Sequence, residues 1–319
     1  MIQNQMNPGT DAISGIENWP DDGIRLSHLG AIEVAGNDAH TFLNAQLTVD
    51  TDRIEPGRSR PAAWCDAQGR ALAVFQVIRL EPTRFLLLCP ADLVAETLKR
   101  LQMFVLRARV TLVALPDNWD RRGFPLESAA RALGDAGLPA LEKDNAVAHN
   151  DDWLALRLPG DPARCLLARR GAACDETTAV DDPGHLSAWR LAGIRAGLPV
   201  IHTATSALFV PQMLNLHWLN GLDFDKGCYP GQEVVARLQF RGKLKRRLFR
   251  GAIAAACQPG DAVIDTDGGN AGTILDAAPD GNGRNEVLAV LKLSATEQSL
   301  QVNGEAMVLR ELPYATDPP

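Results

Sequence analysis

Asp225-Lys-Gly-Cys-Tyr-Pro-Gly-Gln-Glu233 is the densest run of special residues in the 319-residue chain. Tyr229-Pro230-Gly231 suits a type II turn, because Pro fixes φ at the first central position and Gly accepts positive φ at the second. Such a turn exposes the side chain before it, here Cys228. Lys226 stands two residues away, and the amides leading into Gln232-Glu233 start a helix; both features favour a thiolate. A second reading makes Cys228 one more small buried hydrophobe, with the glycines serving only the turn.

Directly downstream, Arg237-Leu-Gln-Phe-Arg-Gly-Lys-Leu-Lys-Arg-Arg-Leu-Phe-Arg250 holds seven basic residues and no acidic one, while the rest of the chain carries 25 basic against 39 acidic. Interleaved Phe240 and Phe249 suggest nucleic-acid binding. The favoured reading is structural: Leu238, Phe240 and Leu244 alternate with polar residues as in a half-buried strand pair turning at Arg241-Gly242. An anionic ligand tail or an acidic partner is the other use of the cationic face. Beyond Arg250, short apolar runs (262–264, 273–275, 287–293, 306–309) are separated by Gly, Asp and Asn. That spacing predicts a small antiparallel β-barrel or sandwich, a separate domain over 251–319.

Upstream, Pro183 to Ala196 reads as a helix ended by Gly197-Leu-Pro199. Arg70 to Leu80 and Arg84 to Cys89 read as strands, Pro90-Ala91 opens a helix with Leu93, Val94, Leu98, Leu101 and Val105, and Val110 to Leu115 is a further strand. Asn37 or Asp38 caps an earlier helix carrying Phe42, Leu43, Gln46 and Leu47 on one face. Glu81-Pro-Thr-Arg-Phe-Leu-Leu87 recurs as Asp161-Pro-Ala-Arg-Cys-Leu-Leu167, each copy following an apolar strand, the second being Trp153 to Leu158. Two similar α/β halves follow, with a ligand-sized cleft or hole between them.

Composition bounds the rest. The length exceeds what one core of ~250–300 residues supports, so two or three domains are expected. A net charge of −7 excludes a surface that binds polyanions everywhere. Cysteines at 65, 89, 165, 174, 228 and 257 form no Cys-x-x-Cys, and His28, His40, His149, His185, His202 and His217 show no metal-ligand spacing, so the histidines read as surface or satisfied structural groups. No metal site within one chain, P-loop, Rossmann fingerprint or Gly-x-Ser-x-Gly is expected. Residues 1–23 read as a flexible tail without leader character, nothing approaches a membrane span, and reduced thiols fit the cytoplasm.

The octapeptide Lys226-Gly-Cys-Tyr-Pro-Gly-Gln-Glu233, with the basic stretch after it, resembles the signature of the YgfZ family of folate-binding, iron–sulfur-related proteins. Phe42-Leu-Asn-Ala-Gln-Leu-Thr-Val-Asp50, Trp64-Cys-Asp-Ala-Gln-Gly-Arg70, Arg195-Ala-Gly-Leu-Pro-Val-Ile201 and Phe209-Val-Pro-Gln-Met213 extend the likeness over about residues 25 to 250. The resemblance implies an α+β fold like that of the glycine-cleavage aminomethyltransferase (T-protein): two interleaved α/β domains around a central folate-sized hole over 24–250, the second half about 116–184, then a small β-barrel. It implies Cys228 as the functional thiol, Lys226, Gly227, Tyr229, Gly231, Gln232 and Glu233 as its motif, and Trp189 beside the folate, where an indole stacks on a pterin or aminobenzoyl ring. From the residues alone, Trp189 equally packs a helix face into the core.

Three departures qualify the resemblance. Leu29 stands where some members carry a second tryptophan. Arg195 replaces the glutamate that pairs with pterin N–H groups, and arginine offers only donors; the glutamyl tail of folate or solvent is its alternative. The segment Arg70-Ala-Leu-Ala-Val74 after Asp66-Ala-Gln-Gly69 lacks the carboxylate that aminomethyl transfer uses. The expected protein is therefore an accessory factor without turnover of its own. It binds tetrahydrofolate or a related folate and supports iron–sulfur assembly or repair and iron–sulfur-dependent tRNA modification. Its partners are iron–sulfur assembly proteins or enzymes, met in transient cluster contact through Cys228. A folate-dependent one-carbon transferase and an RNA-binding module built on 237–250 are the alternatives.

Overall fold

A computed structural model describes residues 19–116, 119–173 and 183–316. The expected tail lies outside these residues up to position 18, as does Cys174. The chain enters through β1 (Ile24–Arg25) and continues through β2 (Leu29–Ala35), α1 (Ala39–Asn44), β3 (Arg58–Cys65), β4 (Ala71–Glu81), β5 (Arg84–Pro90), α2 (Ala91–Gln102) and β6 (Thr111–Ala114). A similar succession follows: β7 (Trp119–Pro125), α3 (Ala129–Asp135), β8 (Val147–His149), β9 (Trp153–Leu158), β10 (Arg164–Ala173) and α4 (Pro183–Arg195).

The two halves build sheets of matching order, β6-β2-β5-β4-β3 and β1-β7-β10-β9-β8. The repeats at 81–87 and 161–167 are the β4–β5 and β9–β10 hairpins, as the sequence predicts. In the first sheet the edge beside β2 is taken by β6, the strand that follows α2. In the second sheet the matching edge beside β7 is taken by β1, from the start of the chain. That exchange interleaves the halves.

Side-chain alternation explains why these strands read as unbroken apolar runs. Phe85, Leu87 and Cys89 of β5 face one core with α1 and α2, whereas Leu86 and Leu88 face a second core shared with Leu154, Leu156 and Leu166 of the other sheet. A sheet buried on both faces has no polar side to show. Trp189 of α4 sits in this second core, and Trp19 packs against it with ring centroids 5.8 Å apart.

After α5 (Gln232–Arg241), β11 (Arg246–Ile253), β12 (Ala262–Asp265), β13 (Asn270–Pro279), β14 (Asn285–Lys292), β15 (Leu300–Val302) and β16 (Glu305–Arg310) close a barrel in the order β11-β14-β13-β12-β15-β16. Its first strand begins at Arg246, upstream of the expected boundary at 251. On β14, Val287, Ala289 and Leu291 fill the barrel, while Leu288 and Val290 join the core of the first half. The barrel is thus packed onto the body by an outward apolar face. Among the described residues no helix is long and apolar enough to cross a membrane.

Two local expectations are corrected. Residues 237–250 are not a strand pair: α5 runs to Arg241, with Val235 buried and Phe240 71% exposed, so Leu238 and Phe240 do not share a face. Helix α1 stops at Asn44, before Gln46 and Leu47, and Leu47 leaves it to pair with Trp64. Asp38 does stand at its N-cap position, but its carboxylate accepts the Arg109 amide at 2.7 Å instead of capping.

Candidate functional site

The Cys228 segment is held by what precedes it. Buried Arg60 on β3 donates to both carboxylate oxygens of Asp223 (3.0 and 3.2 Å) and to the Asn220 carbonyl. Thr48 donates to the Gly221 carbonyl, and Asp223 donates its amide back to Thr48. Arg53 forks onto Asp225 at 2.9 and 2.7 Å. Lys226 donates to the carbonyls of Asn44, the last residue of α1, and of Leu47, just beyond it, both at 2.6 Å, and its ammonium lies 4.9 Å from the Tyr229 ring centre. Burial lowers its pKa to about 8. Lys226 therefore ties the segment to α1 through its charge.

The turn itself has type II geometry: Gly231 sits at φ 77° and ψ 3°, and the Gln232 amide donates to the Tyr229 carbonyl at 3.2 Å. Tyr229 is buried, and burial raises its phenol well above the ordinary value. Gln232 begins α5, reaching back to the Lys226 carbonyl at 3.5 Å, and exposed Glu233 stands in the first turn, where the helix dipole favours it. Cys228 is exposed, and beside it Gly227 faces open space. Cys65, Cys89 and Cys165 are buried, with thiols pushed up by burial, those of Cys89 and Cys165 to about 12.

A separate cavity of ≈ 150 Å³ opens between the two sheets and the barrel. Trp189 and Leu29 both line it, so the indole serves core and cavity wall at once. Gly123 on β7 gives the indole its seat: a Cβ there would lie 2.4 Å from the Trp189 ring. Buried Arg164 stacks its guanidinium 4.7 Å from the same ring and donates to the Trp189 carbonyl. Arg195 does not line the cavity. It points to the barrel, donating to Glu286 at 2.8 Å, and Arg250 meets the other Glu286 oxygen at 3.3 Å. The motif residues 226–233 do not line the cavity either, so thiol and cavity are distinct places on the molecule.

Sequence reasoning missed the polar end of this cavity. Asp276 of β13 is 4% exposed and is ion-paired with Arg190 and hydrogen-bonded to His202 at 3.2 Å. Burial raises its carboxyl, but His202 and Arg190 outweigh burial and hold it below its usual value. His28, classed from sequence as surface or satisfied, has a buried Nδ1 with no partner, and burial beside Arg190 lowers its pKa to about 3. The available signal was an acid inside an apolar strand, Thr273-Ile-Leu-Asp-Ala-Ala278.

Against known proteins, residues 24–121 match the family model described as the GCVT N-terminal domain. The structure superposes on the glycine cleavage system aminomethyltransferase T from Bartonella henselae with a TM-score of 0.73 at 19% identity, covering 92% of this chain and 85% of that one. A tRNA-modifying protein YgfZ from Colwellia psychrerythraea is 34% identical over 71% of this chain and 70% of its own length. That from Pectobacterium carotovorum is 31% identical over 91% of both chains. The chain belongs to the YgfZ family. On this T-protein-like scaffold the octapeptide 226–233 leads into the start of α5 and faces solvent through Gly227 and Cys228.

Proposed function

We propose that the protein is a folate-binding accessory factor of the cytoplasm that supports iron–sulfur-dependent tRNA modification, with Cys228 as its functional thiol. The observation that carries this reading is the thiol's setting: an exposed cysteine beside an open glycine, on a turn fixed from behind by Arg60, Lys226 and Tyr229. A small group presented rigidly to solvent suits contact with a partner protein or its cluster, whose remaining ligands the partner supplies. The relatives named tRNA-modifying proteins support the pathway.

The cavity fits the ring end of a folate. Trp189 offers an aromatic wall, Leu29, Leu88, Leu156 and Leu166 an apolar one, and the unpartnered Nε of Arg164 a buried donor. At ≈ 150 Å³ the cavity is smaller than the ~300–1,000 Å³ of pockets that enclose a whole drug-sized ligand, so the glutamyl end would extend through its mouth. A bound tetrahydrofolate supplies a reduced pterin able to carry one-carbon units. With Cys228 outside the cavity and no carboxylate in 70–74, an accessory role has more support than aminomethyl transfer.

Cys228→Ser is expected to keep the fold and folate affinity and to lose complementation of a strain whose iron–sulfur-dependent tRNA modification is defective. Full complementation by that variant would remove the thiol role. Folate binding is checked by quenching of Trp189 with tetrahydrofolate, using Trp189→Phe as control.

A further inference from the structure

We propose that Asp276 reads the amino-oxo edge of the ring held in the cavity, its Oδ2 accepting N–H bonds from the 2-amino group and the adjacent ring nitrogen of a 2-amino-4-oxopyrimidine. The idea deepens the folate reading, in which that ring is a pterin.

The strand places the carboxylate by an irregularity. Ile274 pairs with Ala289 and Asp276 with Leu288, so Leu275 is an extra residue in β13. Ile274 and Ala277 both fill the barrel, whereas Leu275 faces the core of the body and Asp276 reaches the cavity. A bulge of this kind re-aims a side chain that strict alternation would not deliver.

The hydrogen bonds leave one oxygen available. Asp276 Oδ1 accepts from Arg190, from the His202 ring and, at 2.9 Å, from the Ala277 amide. Oδ2 accepts from none of the described residues. Arg190 and His202 keep the group ionised, and an ionised carboxylate is an acceptor only, so whatever meets Oδ2 must present N–H or O–H. His28 lines the same cavity and brings an unpartnered ring nitrogen, Nδ1, to it. Buried polar groups are normally paired, and a ligand carrying donors beside an acceptor completes the set. Asp276 thereby supplies, from the barrel, the carboxylate that Arg195 cannot.

Guanine shares this edge with pterin, so the test separates the two sources. Calorimetric titration of the full chain would use tetrahydrofolate, pterin, lumazine (2-oxo in place of 2-amino) and guanosine. Tetrahydrofolate and pterin are expected to bind, lumazine at least about tenfold more weakly than pterin, and Asp276→Asn to weaken tetrahydrofolate at least about tenfold, because its amide turns an acceptor into a donor. Equal binding of lumazine and pterin by the unmodified chain, or undiminished tetrahydrofolate binding by a folded Asp276→Asn, overturns the role of Asp276 and leaves the folate reading standing. The lumazine comparison decides the matter even if the variant fails to fold. Binding of guanosine but not tetrahydrofolate upholds the edge and overturns the folate reading; binding of none of the four overturns both.

Discussion

His28 shows at the scale of one residue how the cavity couples to stability. Its ring is neutral in the folded chain, with a pKa lowered to about 3 by burial and by Arg190. The unfolded chain restores a value of about 6.5, so between these limits the unfolded state binds more protons. Stability is therefore unaffected by this group above about pH 6.5 and falls as pH drops below it, by up to about 1.4 kcal/mol per pH unit. Thermal melting followed from pH 7 to 4 is expected to fall less steeply in His28→Gln, which has no titrating ring. Parallel slopes for the two proteins would mean that His28 is not held neutral. Asp276 and other carboxylates add their own acid sensitivity, which is why the comparison with the variant, and not the slope itself, carries the prediction.

Elements meet through glycines. Gly69, in the β3–β4 turn, has φ 74°, and Gly231, in the turn before α5, has φ 77°. A Cβ on Gly231 would lie 2.4 Å from the Gly69 Cα and 2.5 Å from the Asp66 carbonyl oxygen, contacts that no side-chain rotation relieves. Gly231→Ala is expected to cost at least about 2 kcal/mol, the strain of positive φ plus this overlap. It should also displace the turn carrying Cys228, raising the spread of its labelling rates with a thiol reagent. An unchanged denaturant midpoint would contradict the close docking. The turn was legible in the sequence because Pro and Gly constrain φ locally, and the β4–β5 strands because a doubly buried sheet leaves no polar face. The start of α5 at Gln232 is legible, but its last turn over 237–241 reads as strand because Leu238 and Phe240 imitate alternation, a pattern that exposure of Phe240 to solvent resolves only in three dimensions. Asp276 stands out in the sequence only as an acid inside an apolar run, and its place at the cavity is not legible there: a bulge has no period, and the partners Arg190 and His202 lie more than seventy residues away in sequence.

Across the whole molecule, the barrel reads from sequence as a separate domain, yet its packing argues for one cooperative unit. Leu248, Leu275, Leu288 and Val290 of the barrel belong to the same apolar cluster as Leu191 and Ile194 of α4 and the first sheet. Charged links cross the same boundary among the described residues: Arg190 to Asp276, and Arg195 to Glu286, which Arg250 of the barrel also meets. Undocking the barrel would expose that apolar face, at roughly 25 cal/mol per Å², and would leave Asp276 and Glu286 without their α4 arginines. Neither part is then expected to remain folded while the other melts at a much lower temperature. Differential scanning calorimetry is expected to give a single transition whose calorimetric and van't Hoff enthalpies agree. Saturating tetrahydrofolate should shift that one transition upward as a whole, because the proposed ligand touches both sheets, α4 and β13. Two resolved transitions, with only one of them moved by ligand, would show that the barrel folds independently and that the cavity does not draw on it.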